Sequence, residues 1–507
     1  MAQTNHTASL KVLFATSEAL PFIKTGGLAD VSGSLPAALR ARGHDVRLIL
    51  PAYPMALRKA GEVTTVATLN LPGIKEVIYL LESQLHNINA HVYLVSAHEH
   101  FDRGGNPYTN LAGTDWGDNP ERFALLCRVI SLLAKDQAGL HWQPDIVHCN
   151  DWQTGLVPLF LSDRSNISNI PAIVFTIHNL CFQGIFDRAA FKRLKLPESL
   201  WNPQGIEYHG DFSFLKSGIL FSNCVNTVSP TYAKEVCLPK LGCGFDGMLA
   251  QLGDRFSGIL NGIDYKEWNP ATDPYIAHNY DIESFANKTA NKLVLQEAFG
   301  LPKDTQAMLF GYVGRVTAQK GVDLILSVLP QLLNNQITKH KVQVVFQGFG
   351  DAVLEQELRT VAKQYPNQVG VNVEHKIDEQ QAHLVEAGSD CFLMPSHFEP
   401  CGLTQLYSLR YGTVPIVHNT GGLADTIIDA SLDNLAQGIA TGFVFEHPDS
   451  EGLWYALKQA MQMYTYAPDT WQKLALNGMQ QNFSWDRSAT RYEELYLQAI
   501  ANNKLII

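Results

Sequence analysis

Lys24-Thr25-Gly26-Gly27-Leu28-Ala29-Asp30 sets a cation, two adjacent glycines and a carboxylate between an apolar run and a segment of helical period. Backbone N–H groups at a helix start favour an anion, paired glycines let it approach, and Lys24 adds a full charge. Taken alone, the segment reads equally as a tight turn with a solvated lysine. Gly314-Arg315-Val316-Thr317-Ala318-Gln319-Lys320-Gly321 brings two cations five residues apart to the end of another apolar run. Arg grips phosphate oxygens with two parallel hydrogen bonds and Lys offers a compact charge. The pair suits a diphosphate that gains charge as it departs.

A third segment, Pro395-Ser396-His397-Phe398-Glu399-Pro400-Cys401-Gly402-Leu403-Thr404, closes one apolar run and opens a helical one. Gly402, Leu403 and Thr404 can present backbone donors to phosphate or sugar. Glu399 can accept from hydroxyls and place negative charge near a developing cation; its plainer role is a first-turn carboxylate on that helix. Nearer the N-terminus, apolar runs ending at His148 and Ile177 are followed by Asn150-Asp151-Trp152 and His178-Asn179. His178 reads as a site residue or as a hydrogen-bonded structural histidine. Asp151 reads as a site carboxylate or as a cap for a helix starting near Thr154.

The elements that must position these groups are short Val/Ile/Leu/Phe-rich runs alternating with longer helical segments, the pattern of parallel strands joined by crossover helices. Residues 11–16, 45–50, 91–96, 146–149, 172–177 and 224–228 read as strands of one sheet, and 308–313, 342–347, 369–373, 391–395 and 414–418 as strands of another. A chain of 507 residues also exceeds what one core of roughly 250–300 residues organises. The expected fold is α/β, two Rossmann-like doubly wound domains over 1–260 and 261–485, with a helix in 486–507 packing back on the first or the second. The boundary falls at Asn261-Gly262-Ile263-Asp264, where turn formers then outnumber core formers through Pro274. Thr25-Gly26-Gly27-Leu28-Ala29-Asp30 recurs as Thr420-Gly421-Gly422-Leu423-Ala424-Asp425, so the two domains repeat one design. Ligands of open parallel sheets bind beyond the strands' carboxyl ends, which predicts chemistry in a deep cleft between facing domains.

A formal net charge of -11 argues against general nucleic-acid binding and leaves a neutral polymer as the better partner. No run approaches the ~20 apolar residues of a membrane span, and the first twenty residues lack a signal-peptide pattern. A soluble, cytoplasmic chain without membrane association is expected. The eight cysteines follow no disulfide or metal-ligand spacing, which suits a reducing compartment. Asn166-Ile167-Ser168 matches a glycosylation acceptor, read as chance in an unexported chain.

With these segments in this order, joined by His178-Asn179-Leu180, Val228-Ser229-Pro230-Thr231-Tyr232-Ala233 and Phe398 through Gln405, the sequence resembles bacterial glycogen synthases and the related plant starch synthases from Val12 to about Trp485. The resemblance implies a glycosyltransferase B-type fold, an ADP-glucose donor, an α-1,4-glucan acceptor such as glycogen or maltooligosaccharide, retention at the anomeric carbon, and neither metal nor other cofactor. No Asp-x-Asp occurs in the chain to present a metal to a nucleotide sugar. By the same resemblance Arg315 and Lys320 hold the donor diphosphate, with Lys24 and Gly27 lining that site. Gly402, Leu403 and Thr404 contact phosphate and glucose, and Glu399 holds the glucose ring. His178 stands beside the reacting carbon, Asp151 and Asn179 flank the glucose, Asn261 lies at the cleft, and Tyr108 and Trp152 are acceptor-side aromatics. Glu399, His178 and Asp151 are the expected catalytic residues.

Two positions depart from the pattern: Ile377 replaces a Tyr that packs on the base, and Gln153 replaces a His. An aliphatic side chain covers a ring without the aromatic contact, which leaves UDP-glucose as an alternative donor. A non-catalytic glucan-binding protein is a second alternative, opposed by the intact Lys24, Arg315, Lys320 and Glu399. Gly348-Phe349-Gly350-Asp351 hints at a nicotinamide dehydrogenase but lacks the third glycine of the fingerprint, and the motifs match synthases rather than a pyridoxal-dependent phosphorylase.

Overall fold

The computed structural model describes residues 9–83, 90–163, 170–374 and 377–505; the Asn166 motif lies outside them. The chain forms two compact units. One comprises the chain up to Val228, Ala233–Gly262 and the segment from Trp485; the other comprises Ser229–Tyr232 and Ile263–Ser484.

The first unit contains β1 (Lys11–Ala15), β2 (Asp45–Pro51), β3 (Val63–Leu69), β4 (Ile78–Ser83), β5 (His91–Ser96), β6 (Ile146–Asn150) and β7 (Ala172–Ile177). There follow β8 (Ile185–Phe186), β9 (Glu207–Tyr208), β10 (Asp211–Ser213), β11 (Cys224–Thr227) and β12 (Phe256–Gly258). Nine of them form a sheet ordered β12-β11-β7-β6-β1-β2-β5-β4-β3, and β8-β10-β9 form a small second sheet. The central strands are parallel and almost fully buried, because helices cover both faces. β3 and β4 extend the edge antiparallel and were not expected. β3 is Thr-rich and largely exposed, with a register shift between Thr65 and Ala67, so it lacks the apolar run that marks a buried strand.

The second unit contains β13 (Met308–Val316), β14 (Val342–Gly350), β15 (Val369–Val373), β16 (Cys391–Met394), β17 (Val414–His418) and β18 (Phe443–Phe445). All are parallel, ordered β15-β14-β13-β16-β17-β18. Alternation along the strands sorts side chains into two cores. Phe310, Val344 and Leu393 face one apolar cluster, while Leu309, Val345 and Phe392 face the other.

β13 and β14 run three residues beyond the expected 308–313 and 342–347. Gly314 pairs with Gly348, where an added Cβ on Gly348 would meet the Gly314 carbonyl at 1.9 Å. The glycines therefore serve strand pairing, and Asp351 caps the helix Ala352–Gln364 by accepting from Val353 and Leu354 N–H. The dinucleotide-like motif is a strand end.

The last helix, Trp485–Leu505, packs within the first unit. Tyr496 OH meets His148 Nδ1 at 2.8 Å, Arg42 donates to both Glu493 oxygens at 2.8 Å, and Asn503 donates to the Ile170 carbonyl.

Candidate active site

Strand order reverses between β1 and β6 in the first unit and between β13 and β16 in the second, and both pairs are direct neighbours. Crossovers leave such a pair in opposite directions and open a crevice past the strand ends. The predicted site segments follow these strands: residues 24–30 after β1, Asn150-Asp151 at β6, Arg315 and Lys320 at β13, and Glu399 after β16.

In the second unit Lys320 Nζ lies 2.5 Å from Glu399 Oε2, and Ser396 Oγ donates to the same oxygen at 3.0 Å. Glu399 is 5% exposed. Burying a carboxylate is costly unless it is paired and hydrogen-bonded, and Lys320 with Ser396 supplies both. Arg315 sits on β13, not beyond it, and its Nη2 donates to Gln319 Oε1 at 3.2 Å. Gly321 adopts φ +72°, and any Cβ there would strike the Pro395 carbonyl at 2.1 Å, so the loop after β13 lies directly on the loop after β16. His397 N–H donating to the Gln319 carbonyl fixes that contact, while Ser396 C=O meets His418 Nδ1 at the end of β17. Gly402 adopts φ +75°, ahead of the helix Thr404–Arg410, and Thr404 Oγ1 contacts Met394 Sδ at 3.3 Å.

In the first unit the helix after β1 spans Gly27–Ala41, starting four residues before the expected 31–42. Gly26 is its N-cap, and the motif is the helix's first turn. Lys24 Nζ pairs with Asp30 at 2.8 Å, and Gly26 and Gly27 are exposed. The anchor is a residue the sequence reading missed. Glu18 Oε2 accepts from Thr25 N–H at 2.5 Å, Thr25 Oγ1 at 2.7 Å and Gly26 N–H at 3.3 Å, while Oε1 accepts from Tyr108 OH at 3.0 Å. Burial raises the Glu18 carboxyl above its ordinary range against the pull of these donors. Ser17-Glu18 bears the same signature, polar residues right after an apolar strand, that marked Asn150-Asp151 and His178-Asn179.

Asp151 does not cap the following helical turn. Its side chain accepts from the His178 backbone N–H at 2.7 Å, tying the end of β6 to the end of β7. Burial pushes this carboxyl up to about 7, opposed by the N–H groups of His178 and Asn179. Asp151 itself takes φ +55°, a strained geometry for a non-glycine residue. His178 is 9% exposed and its Nε2 meets Asn150 Oδ1 at 2.9 Å. Burial holds its pKa down to about 3, so it acts as a neutral imidazole. Asn150 Nδ2 donates to the Ala15 carbonyl, leaving its oxygen to accept from Nε2–H and the His178 Nδ1 lone pair uncommitted to that contact. Asn179 Oδ1 accepts from Cys181 N–H at 3.0 Å.

The two aromatics expected on the acceptor side are both tied into the first unit. Trp152 is 9% exposed and packs edge-on against Phe123, Phe186 and Phe214, which makes it part of an aromatic core. Tyr108 turns its hydroxyl inward to Ser17 and Glu18, supporting the Lys24 loop. Asn261, at 6% exposure, and Gln153, at 5%, each bury a side-chain oxygen without a hydrogen-bond partner. The cysteines of the chain are all free. Among the described residues no helix is long and apolar enough to cross a membrane.

Residues 11–251 match the family model of the starch synthase catalytic domain, and residues 295–476 match that of glycosyl transferases group 1. The chain is 49% identical to glycogen synthase 2 of Nitrosococcus oceani, over 97% of this chain and 98% of that one. It is 48% identical to the glycogen synthase of Cellvibrio japonicus, over 96% and 98%. Among solved structures it resembles the catalytic domain of starch synthase IV from Arabidopsis thaliana bound to ADP and acarbose, with 32% identity, coverage of 97% and 100%, and a TM-score of 0.86. A sucrose-phosphate synthase from Thermosynechococcus elongatus, at 16% identity and a TM-score of 0.57, shares the fold. With two Rossmann-like units of glycosyltransferase B type and 49% and 48% identity to these glycogen synthases over nearly the full length, the chain belongs to the glycogen synthase family of glycosyltransferases.

Proposed function

We propose that this chain transfers glucose from ADP-glucose to the non-reducing 4-hydroxyl of an α-1,4-glucan in the cytoplasm, with retention and without a metal or other cofactor. The observation that carries the reading is the buried Glu399 carboxylate paired to Lys320 beside Arg315, where β13 and β16 diverge. Two cations and a carboxylate there match the two ends of a breaking C1–phosphate bond. Arg315 and Lys320 take the diphosphate as it gains charge, in the place a metal would occupy, and Glu399 faces the sugar as it becomes oxocarbenium-like. When the diphosphate arrives, Lys320 shares its charge between Glu399 and phosphate, so the carboxylate meets the glucose less neutralised.

Lys24 and Gly27 line the donor, and Gly402, Leu403 and Thr404 offer it hydrogen bonds. Asp151, Asn179 and neutral His178 are assigned to the glucose, and Asn261 to the donor set. A departing phosphate oxygen can take the acceptor proton, so no enzyme base is required; Asp151, with its raised pKa, is the carboxylate to test first. The ADP and acarbose named for the starch synthase IV structure support a nucleotide donor and a glucan acceptor. Ile377, half-buried against the apolar core of the second unit, covers a base without an aromatic face, consistent with weaker nucleotide affinity.

The test is to incubate the purified protein with glycogen or maltooligosaccharide and either ADP-glucose or UDP-glucose, following nucleotide release and chain growth. Growth with ADP-glucose, undiminished by a chelator, is expected. A preference for UDP-glucose would replace the donor assignment, and no growth with either would leave only glucan binding.

A further inference from the structure

Cys181 and Cys243 lie 62 residues apart in sequence, yet their sulfurs approach to 3.8 Å at the surface of the first unit. A disulfide needs about 2.05 Å, so a rotamer adjustment of under about 2 Å closes the gap. The two loops are held for this encounter. Gln183 Nε2 and Tyr208 OH both donate to the Cys243 carbonyl at 2.9 Å, and the Tyr208 ring stacks on Phe245 with centroids 4.7 Å apart. Cys243 is kept at φ +49°, followed by Gly244 at φ +83°, a left-handed corner that turns the thiol toward Cys181. Of the other cysteines, five are buried and Cys237 is intermediate.

The location gives the pair a consequence. Cys181 donates its backbone N–H to Asn179 Oδ1, and Asn179 follows His178, whose own N–H is held by Asp151. We propose that Cys181 and Cys243 form a reversible disulfide that fixes the 178–183 segment and thereby lowers turnover under oxidising conditions. The co-reactant is a low-molecular-weight disulfide. The Cys243 thiolate attacks one of its sulfurs, the small S–S bond breaks, and one small thiol leaves with a proton. The Cys181 sulfur then gives up its proton and attacks Cys243 sulfur, releasing the second small thiol. Two protein thiols are oxidised and one small disulfide is reduced to two thiols. Burial and the neighbouring Cys243 raise the Cys181 thiol well above the usual range.

The experiment equilibrates the full chain in mixtures of oxidised and reduced glutathione, then maps disulfides by peptide mass spectrometry and measures backbone hydrogen exchange. The expected results are a cross-linked peptide pair holding Cys181 and Cys243, reversed by dithiothreitol, and exchange in residues 178–183 slowed by about fivefold. Cys243→Ser and, independently, Cys181→Ser abolish both effects. Absence of the cross-link at every ratio, or a cross-link with unchanged exchange, overturns the proposal. Only the kinetic arm rests on the proposed glucosyl transfer: the oxidised protein should elongate glycogen about fivefold more slowly, a change at the lower end of site-to-site coupling, and an unchanged rate refutes the effect on turnover. A reduced chain without transferase activity would refute the function while leaving the disulfide and exchange results to stand or fall separately.

Discussion

Lys320 and Ser396 both converge on a single oxygen of Glu399, at 2.5 Å and 3.0 Å, so the buried carboxylate is paired with the same cation that is proposed to take the diphosphate. This couples the two ends of the proposed bond cleavage. Removing the carboxylate with Glu399→Ala should lower kcat on the order of 100-fold or more, the scale of a lost transition-state contact, while donor KM changes far less. Steady-state kinetics with ADP-glucose check this, and near-normal turnover contradicts the role given to Glu399.

Glu18 carries the Lys24 loop on one carboxylate. Glu18→Ala strands the N–H groups of Thr25 and Gly26, and should cost about 1–3 kcal/mol in urea unfolding while raising donor KM. Unchanged stability would show that the loop does not depend on this anchor.

Asp151 and His178 set opposing pH dependences. Asp151 is pushed up from 3.8 to about 7, so across that window the folded chain holds a proton the unfolded chain has released, and this site's contribution to stability falls as pH rises. His178 is pushed down from 6.5 to about 3, so there the unfolded chain holds the extra proton and stability rises with pH. Each slope is at most about 1.4 kcal/mol per pH unit, and they oppose each other in the shared window. Asp151→Asn should therefore gain stability relative to the wild type from about pH 4 to about pH 7, then hold level. Urea titrations of both proteins across that range measure the difference, and a constant offset contradicts the assignment.

The echoed glycine pairs should respond differently. A Cβ on Gly26 meets nothing within 4 Å, whereas one on Gly422 would come 2.1 Å from the Cys401 carbonyl. Gly26→Ala should leave stability within about 0.5 kcal/mol, and Gly422→Ala should cost several times that by displacing the loop that carries Glu399. Thermal unfolding of the two variants distinguishes them, and equal losses would contradict the packing argument.

The sequence by itself determined the two sheets and most of their strands, because strands buried on both faces appear as continuous apolar runs, and strand ends as abrupt changes to polar residues. The places of Asp151, His178 and Glu399 beyond strand ends were legible for that reason, whereas Arg315 lies on β13 itself. Glu18 carried the same signature, but its meaning lies in the loop seven residues on that folds back over it. Only the tertiary structure decided that Asp151 joins two strand ends instead of capping a turn, that Trp152 belongs to an aromatic core, and that the two Thr-Gly-Gly-Leu-Ala-Asp copies use their glycines differently. It alone brought Cys181 to Cys243. Those outcomes depend on which distant segments meet, and local spacing and periodicity carry no record of contacts between residues tens to hundreds of positions apart.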